Sequence, residues 1–358
     1  MFRNYKHDAK DPSQTHGFEV FGVDVSIVNA LRRVILTDID VVGFSGEESP
    51  SLEVVTNTGR LHNEIILHRF GLLPIHIDEM ETDAFDSTQY EFELHKKNTL
   101  DEMINVTTHD FIVRKDGAQL PETQVHKLFP RDMVSKQPIL ITRLRSGEEL
   151  HVRGQAIKST ARFHAGFCPV SLCTFFYVQD PVLAAAAENP LDKERAYFRN
   201  EFGDPTTFQF EIEPKIQLSP RYLVSKALDI LINKVNMIQQ EIYQDESDKV
   251  EIKEGDTGGI NFTFNHEDDT LGNILQSYIH VNYVRPKKQA PCGKTVSYVG
   301  YYCPHPLDNT MIIRLMFAEE DAKKNVKDYV DMLALACREL SQHLNDVHNA
   351  WLAFAPKS

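Results

Sequence analysis

The chain has 358 residues, 42% of them hydrophobic and 25% charged, with a formal net charge of −14. That length suits two or three globular domains, and a chain so acidic is repelled as a whole by phosphate backbones, which makes it a poor grip for nucleic acid. No stretch approaches the ~20 apolar residues of a membrane span, the start Met1-Phe2-Arg3-Asn4-Tyr5-Lys6-His7-Asp8 lacks a signal peptide's apolar core, and five cysteines without CxxC spacing fit reduced intracellular thiols.

Residues 17–23 alternate as a strand. Asp24 or Ser26 can cap a following helix with Ile27, Leu31, Val34 and Ile35 on one stripe and Arg32 and Arg33 beside it. From 43 to 206 short apolar runs are broken by Gly, Pro, Asn and Asp, the texture of a β-rich domain. Within it, 139–144 and 149–153 flank Arg145-Ser146-Gly147-Glu148 like a hairpin, and 182–202 look helical. After a strand at 207–213, Ser219-Pro220 starts a helix with Leu223, Ala227, Ile230, Leu231, Ile238 and Ile242 on one face. Residues 246–259 are polar and glycine-rich, a linker region with a short strand at 249–253. A strand (260–265), a helix (269–281) and two strands (295–302, 310–317) follow. The last helix carries Val326, Val330, Leu333, Cys337, Leu340, Leu344, Val347 and Trp351 in steps of 4 and 3, a seam too long for its own small sheet and suited to a second helix pair.

Phe18, Val20, Asn29 and Leu31 recur as Phe262, Phe264, Asn273 and Leu275, all at an offset of 244 positions. Both ends follow one plan of strand, short helix, strands and long helix. The expected fold class is α+β: a first unit (1–42 with 207–245) interrupted by an inserted β-rich domain (43–206), a linker region (246–259) and a second unit (260–358), the two units docked on each other. Ile27, Asn29, Leu31, Val34, Leu271, Asn273, Ile274, Leu275, Leu333, Leu340 and Leu344 are the candidate residues of that internal interface.

Chemistry is thinly represented. Pro291-Cys292-Gly293-Lys294-Thr295 ends like a phosphate loop, but Lys288 stands where its first glycine belongs. His62, His68 and His76, with Glu64 and Arg69, match no metal-ligand spacing. His151, His164 and Cys168 lack the surroundings of an activated thiol. No catalytic, cofactor or metal residue is assigned. An enzyme built on the histidine cluster and a dimer serving some other assembly remain as rivals.

Four segments resemble the alpha-type subunits of multisubunit RNA polymerases. Asp24 to Arg33 is similar to their signature helix. Leu61-His62-Asn63-Glu64 with Leu67 to Ile75, and the later Ile139 to Leu150, resemble the third-largest subunit. Phe264 to Asn273 and Gly300 to Leu307 resemble the small eleventh subunit, its usual partner. A fused pair resembles the arrangement in large cytoplasmic DNA viruses of the African swine fever virus type. The resemblance implies two alpha-like dimerisation units forming an intramolecular pseudo-dimer, and a non-catalytic platform for the largest and second-largest polymerase subunits and small subunits. DNA and RNA would be met only through the complex, and no membrane is involved. Arg32, Arg33, His68 and Arg69 are the expected large-subunit contacts. The zinc site of the cellular third subunit is expected to be absent, since 78–120 hold no cysteine, leaving Phe85, Tyr90, Phe92 and Leu94 to pack that region. The chain ends after the heptad helix, so no counterpart of the bacterial DNA-reading domain is expected. A viral chain would work in host cytoplasm and virion, a cellular one in the nucleus.

Overall fold

A computed structural model describes residues 1–7, 14–46, 52–244, 249–255, 258–305, 307–318 and 325–356. Residues 246–248 and 256–257 of the expected linker, and Pro306 of the eleventh-subunit-like motif, lie outside them.

The first unit opens with β1 (Phe2–His7), β2 (His16–Phe21) and α1 (Val25–Thr37). The insert supplies β3 (Val41–Gly43), β4 (Leu52–Asn57), α2 (Asn63–Gly71), α3 (Glu79–Asp83), β5 (Tyr90–Lys97), β6 (Ile104–Thr107), β7 (Phe111–Lys115), β8 (Ala118–Gln119), α4 (Glu122–Leu128), β9 (Leu140–Leu144), β10 (Glu149–Gly154) and β11 (Ile157–Ser159). The first unit resumes with β12 (Val170–Tyr177), the short helices α5 (Pro181–Ala186) and α6 (Pro190–Glu194), β13 (Thr207–Pro214) and α7 (Pro220–Glu241). The second unit is β14 (Val250–Glu254), β15 (Ile260–Asn265), α8 (Asp269–Ile279), β16 (Val296–Tyr302), β17 (Thr310–Phe317) and α9 (Val326–Phe354).

Each unit has one antiparallel four-stranded sheet. The first runs β1-β2-β13-β12 and the second β14-β15-β17-β16, so every strand has a counterpart in the same place. Period-two burial explains the strands: Phe18 and Val20 of β2, and Phe262 and Phe264 of β15, point inward, with Met311, Ile313, Leu315 and Phe317 of β17 beside them. Helices α1, α7, α8 and α9 cover the inner faces, and one apolar core runs through both units. The insert has a separate core from Val42 to Ala156, in which the rings of Phe44, Phe70, Phe92, Phe111 and Phe129 stack and abut. Leu94 is buried there as well, and Phe85 stacks on Tyr90 at 5.4 Å.

Four expectations change. Strand β12 pairs with β13 in the first sheet, so 170–177 belong to the first unit, although their broken apolar texture matches that of the insert. Strand β14 lies inside the expected linker yet pairs with β15, making it an edge of the second sheet. Gly259 allows the turn between them, with φ +73° and room for no Cβ, which would meet the Leu315 carbonyl oxygen at 2.3 Å. The turn at 145–148 forms, with the Glu148 N–H donating to the Arg145 carbonyl at 3.0 Å, but its strands part: β9 joins β6, while β10 lies between β4 and β5. Buried Asn98 intercepts the hairpin, exchanging backbone bonds with Gly147 and Glu148 and donating its side-chain amide to the Leu144 carbonyl. Finally, the helical excursion stops short of 202: α5 and α6 form, capped by Asp180 and Asn189, but past Glu194 the chain makes β-bridges instead, Tyr197 to Gln179 and Arg199 to Pro205.

Candidate assembly interface

Helices α1 and α8 pack antiparallel, and the sequence dictates how. Asp24 caps α1, its Oδ1 accepting from the Ser26 N–H at 2.8 Å; Asp268 caps α8 in the same way through Thr270, also at 2.8 Å. Ser277 Oγ donates to Asp24 Oδ1 at 2.9 Å across the junction. Arg33 Nε donates to Thr270 Oγ1 at 2.8 Å and its guanidinium lies 3.8 Å from Asp268. At the offset of 244, Asp24 corresponds to Asp268 and Arg33 to Ser277. The same two positions therefore meet twice with the units exchanged, as a two-fold interface requires.

The long helices repeat the arrangement. α7 and α9 lie antiparallel, with Ser225 against His348 at 2.6 Å near one end and the Tyr243 hydroxyl donating to Asp331 at 3.2 Å near the other. Trp351 Nε1 donates to the Arg221 carbonyl at 3.1 Å, while its ring sits 4.7 Å from Phe18 and 5.2 Å from Phe2 on the first sheet. Ile27, Leu31, Val34, Leu271, Ile274, Leu275, Leu333, Leu340 and Leu344 are all buried in the shared core. Full burial of each such side chain stabilises by about 1.5–3 kcal/mol. Asn29 and Asn273 are half-buried; Asn29 Oδ1 accepts from Arg32 Nε at 3.1 Å.

A charged node closes one end of the α1–α8 pair. Arg162, on the strap returning from the insert, bonds Asp38 at 2.6 Å and Asp268 at 2.8 Å. Lys234 of α7 reaches Asp38 at 3.3 Å and Glu267 at 3.2 Å. Burial pushes the Asp38 carboxyl up, but hydrogen bonds from Arg162 and Thr37 and the charge of Lys234 hold it below the usual range. Burial raises Glu267, with Lys234 opposing. These residues carry no sequence signal, because their partners lie far apart in the chain and obey no spacing.

Of the expected large-subunit contacts, Arg33 turns its guanidinium to the internal junction, with its side chain 37% exposed. Arg32 is half-buried on α1, and His68 and Arg69 are exposed on α2 of the insert. His62 is exposed, whereas His76 is half-buried and lowered by burial to about 4. His151 stacks on His95 at 4.5 Å and faces Glu93, while the Cys168 thiol donates to the Val170 carbonyl. Among the described residues no group of three His, Cys, Asp or Glu side chains is placed to hold a metal.

Comparison with known families decides what this doubled interface is. The RNA polymerase Rpb3/Rpb11 dimerisation domain matches residues 17–235, and a second form of the same domain matches residues 259–349. The chain belongs to the Rpb3/Rpb11 dimerisation family. It holds two such domains in one polypeptide, in an α+β fold. Subunit 3 of DNA-directed RNA polymerases II, IV and V from Arabidopsis thaliana is 28% identical over 231 residues, 59% of this chain and 70% of the relative. The human RPAC1 subunit of DNA-directed RNA polymerases I and III is 25% identical over 283 residues, 63% and 80% of the two chains. The Dictyostelium discoideum RNA polymerase II subunit rpb3 is 27% identical over 168 residues, 44% and 52%.

Proposed function

We propose that this Rpb3/Rpb11-type chain is the assembly platform of a DNA-directed RNA polymerase, with both partners of the alpha-like dimer in one polypeptide and no catalytic site of its own. The observation that carries the reading is the twice-repeated α1–α8 contact between its two dimerisation domains. The partners are the largest and second-largest subunits and small polymerase subunits, with DNA and RNA met through the complex. Tethering makes the docking intramolecular, at an effective concentration on the order of mM for a short linker. Arg32, His68 and Arg69 are assigned to a large-subunit contact, since guanidinium and imidazole groups reaching the surface beside an apolar helix stripe suit such an interface.

The fused form supports a source among large cytoplasmic DNA viruses of the African swine fever virus type, with the chain at work in host cytoplasm and carried in the virion; a cellular source would place it in the nucleus. No zinc is assigned to the insert, because residues 78–120 hold no cysteine to bind it. The test is affinity isolation from the native source and identification of every co-purifying chain. Both large polymerase subunits are expected; a stable complex lacking them refutes the proposal. Elemental analysis of the purified chain should find less than one equivalent of zinc.

A further inference from the structure

The two caps of the α1–α8 pair are equivalent in sequence but differently filled. Asp268 is saturated: Oδ1 accepts from Thr270, and Oδ2 accepts from Arg162 at 2.8 Å with Arg33 3.8 Å away. Asp24 accepts from Ser26 and Ser277, both on Oδ1, and among the described residues no hydrogen bond or ion pair reaches its Oδ2. Beside it opens a cavity of about 260 Å³ lined by Asp24, Ser26, Ser277, Tyr278, Asn282 and His343, with apolar walls from α1 and α8. That space is several times the volume of a water molecule. Ser277 stands where exchange of the units would place Arg33. The strap that delivers Arg162 has only residues 280–295 as its counterpart. Their single arginine, Arg285, feels the Asp24 charge but is bonded to Asp204 at 2.6 Å and lies over the Phe202 ring.

We propose that the Asp24 cavity is a docking site for an arginine side chain of another subunit, filling from outside the place that Arg162 fills at the other cap. The lining is chosen for such a group. Asp24 Oδ2 and the Asn282 side-chain oxygen can accept, the Asn282 amide being already donated to the Tyr278 carbonyl. A guanidinium has five donors in a plane and no acceptor, and its flat faces suit the apolar walls of Ile27 and Ile274. Arginine anchors seated in desolvated pockets carry much of the affinity of protein interfaces. Identifying the arginine's owner as a polymerase subunit rests on the platform reading; the cavity's preference for a guanidinium does not.

The test uses the full chain and its Asp24→Asn variant. Asparagine caps a helix as well as aspartate and can still accept from Ser26 and Ser277, so only the charge is removed. Methylguanidinium is titrated while the Ser26 amide resonance is followed, with methylammonium at equal ionic strength as the reference. Saturable millimolar binding that favours methylguanidinium and weakens at least roughly tenfold in Asp24→Asn, as for loss of one charged hydrogen bond, supports the site. An equal response in both proteins, no saturable response, or binding seen only after Arg285→Gln (Arg285 then fills the cavity itself) overturns it. In affinity isolation, Asp24→Asn should release a polymerase subunit at lower salt than the parent does. If it retains every partner at the parent's salt resistance, the docking site is refuted with the platform intact; if the parent recovers no polymerase chain, the platform fails and the methylguanidinium titration still decides the cavity.

Discussion

Replacing Trp351 by alanine tests whether the long helices hold the two units together. This is the chain's only tryptophan; it is fully buried and belongs to the second unit, yet packs on Phe2 and Phe18 of the first. Truncating a buried tryptophan costs about 3–5 kcal/mol. Losing the hydrogen bond to the Arg221 carbonyl adds about 1 kcal/mol. The sum, about 4–6 kcal/mol, is a large share of the ~5–15 kcal/mol that stabilises a folded protein. Trp351→Phe keeps most of the apolar contact and should cost about half as much. Urea unfolding followed by far-ultraviolet circular dichroism gives the midpoint and slope for each variant, and hydrogen exchange at the β2 amides reports the first unit separately. Because the core is shared, β2 should lose protection together with α9. A cost below about 1 kcal/mol, or loosening of α9 while β2 keeps its protection, refutes the role given to Trp351.

Leu31→Asp buries an unpaired carboxylate in the shared core and should cost several kcal/mol; a soluble variant that still recovers the large subunits would contradict the interface assignment. Its counterpart Leu275→Asp should fail to the same degree, measured by soluble yield. Burial lowers His76 to about 4, and burial with the neighbouring His7 charge lowers His16 to about 4. Both imidazoles are therefore neutral in the folded state where the unfolded chain would take up protons. Stability should be full above pH ~6.5 and fall as pH drops toward about 4, with His76 contributing on the order of 1–3 kcal/mol. Urea midpoints across that window should flatten in His76→Gln, and an unchanged slope removes His76 as a cause. Gly259→Ala should destabilise by more than about 1 kcal/mol, because it combines positive φ with a clash. Gly147→Ala meets open space at a similar φ and should cost less; equal thermal shifts would discount the clash.

The elements with strong periodicity were legible without coordinates. The stripe of α1, the heptad of α9 and the alternation of β15 and β17 each follow from burying one face, and the offset of 244 carries the pairing of α1 with α8. Partners chosen by tertiary contact were not legible. Phe2–His7 is polar at an edge, with Asn4 at positive φ interrupting the register, so nothing marks β1 as a strand. β12 reads as an apolar run and β14 as a short strand in a polar linker, but a strand's sequence does not name its neighbour, so neither shows which sheet it joins. Arg33 reads as a solvated cation beside an apolar stripe until Thr270 and Asp268 appear opposite it.

The insert enters between α1 and β12, where the second unit has only a π-helical turn (His280–Val284) and a short loop. An insert with its own core closes such a loop at small entropic cost and leaves sheet order and helix pairing intact. It still marks the dimer. Its return strap brings Arg162 to the Asp268 cap and so ties the insert to the second unit, while the Asp24 cap keeps its cavity open. Two units matched strand for strand thus form a pair whose ends differ in charge, shape and accessibility. A symmetric homodimer presents the same surface twice; here the two dimerisation domains differ, and a single sequence fixes which end is which.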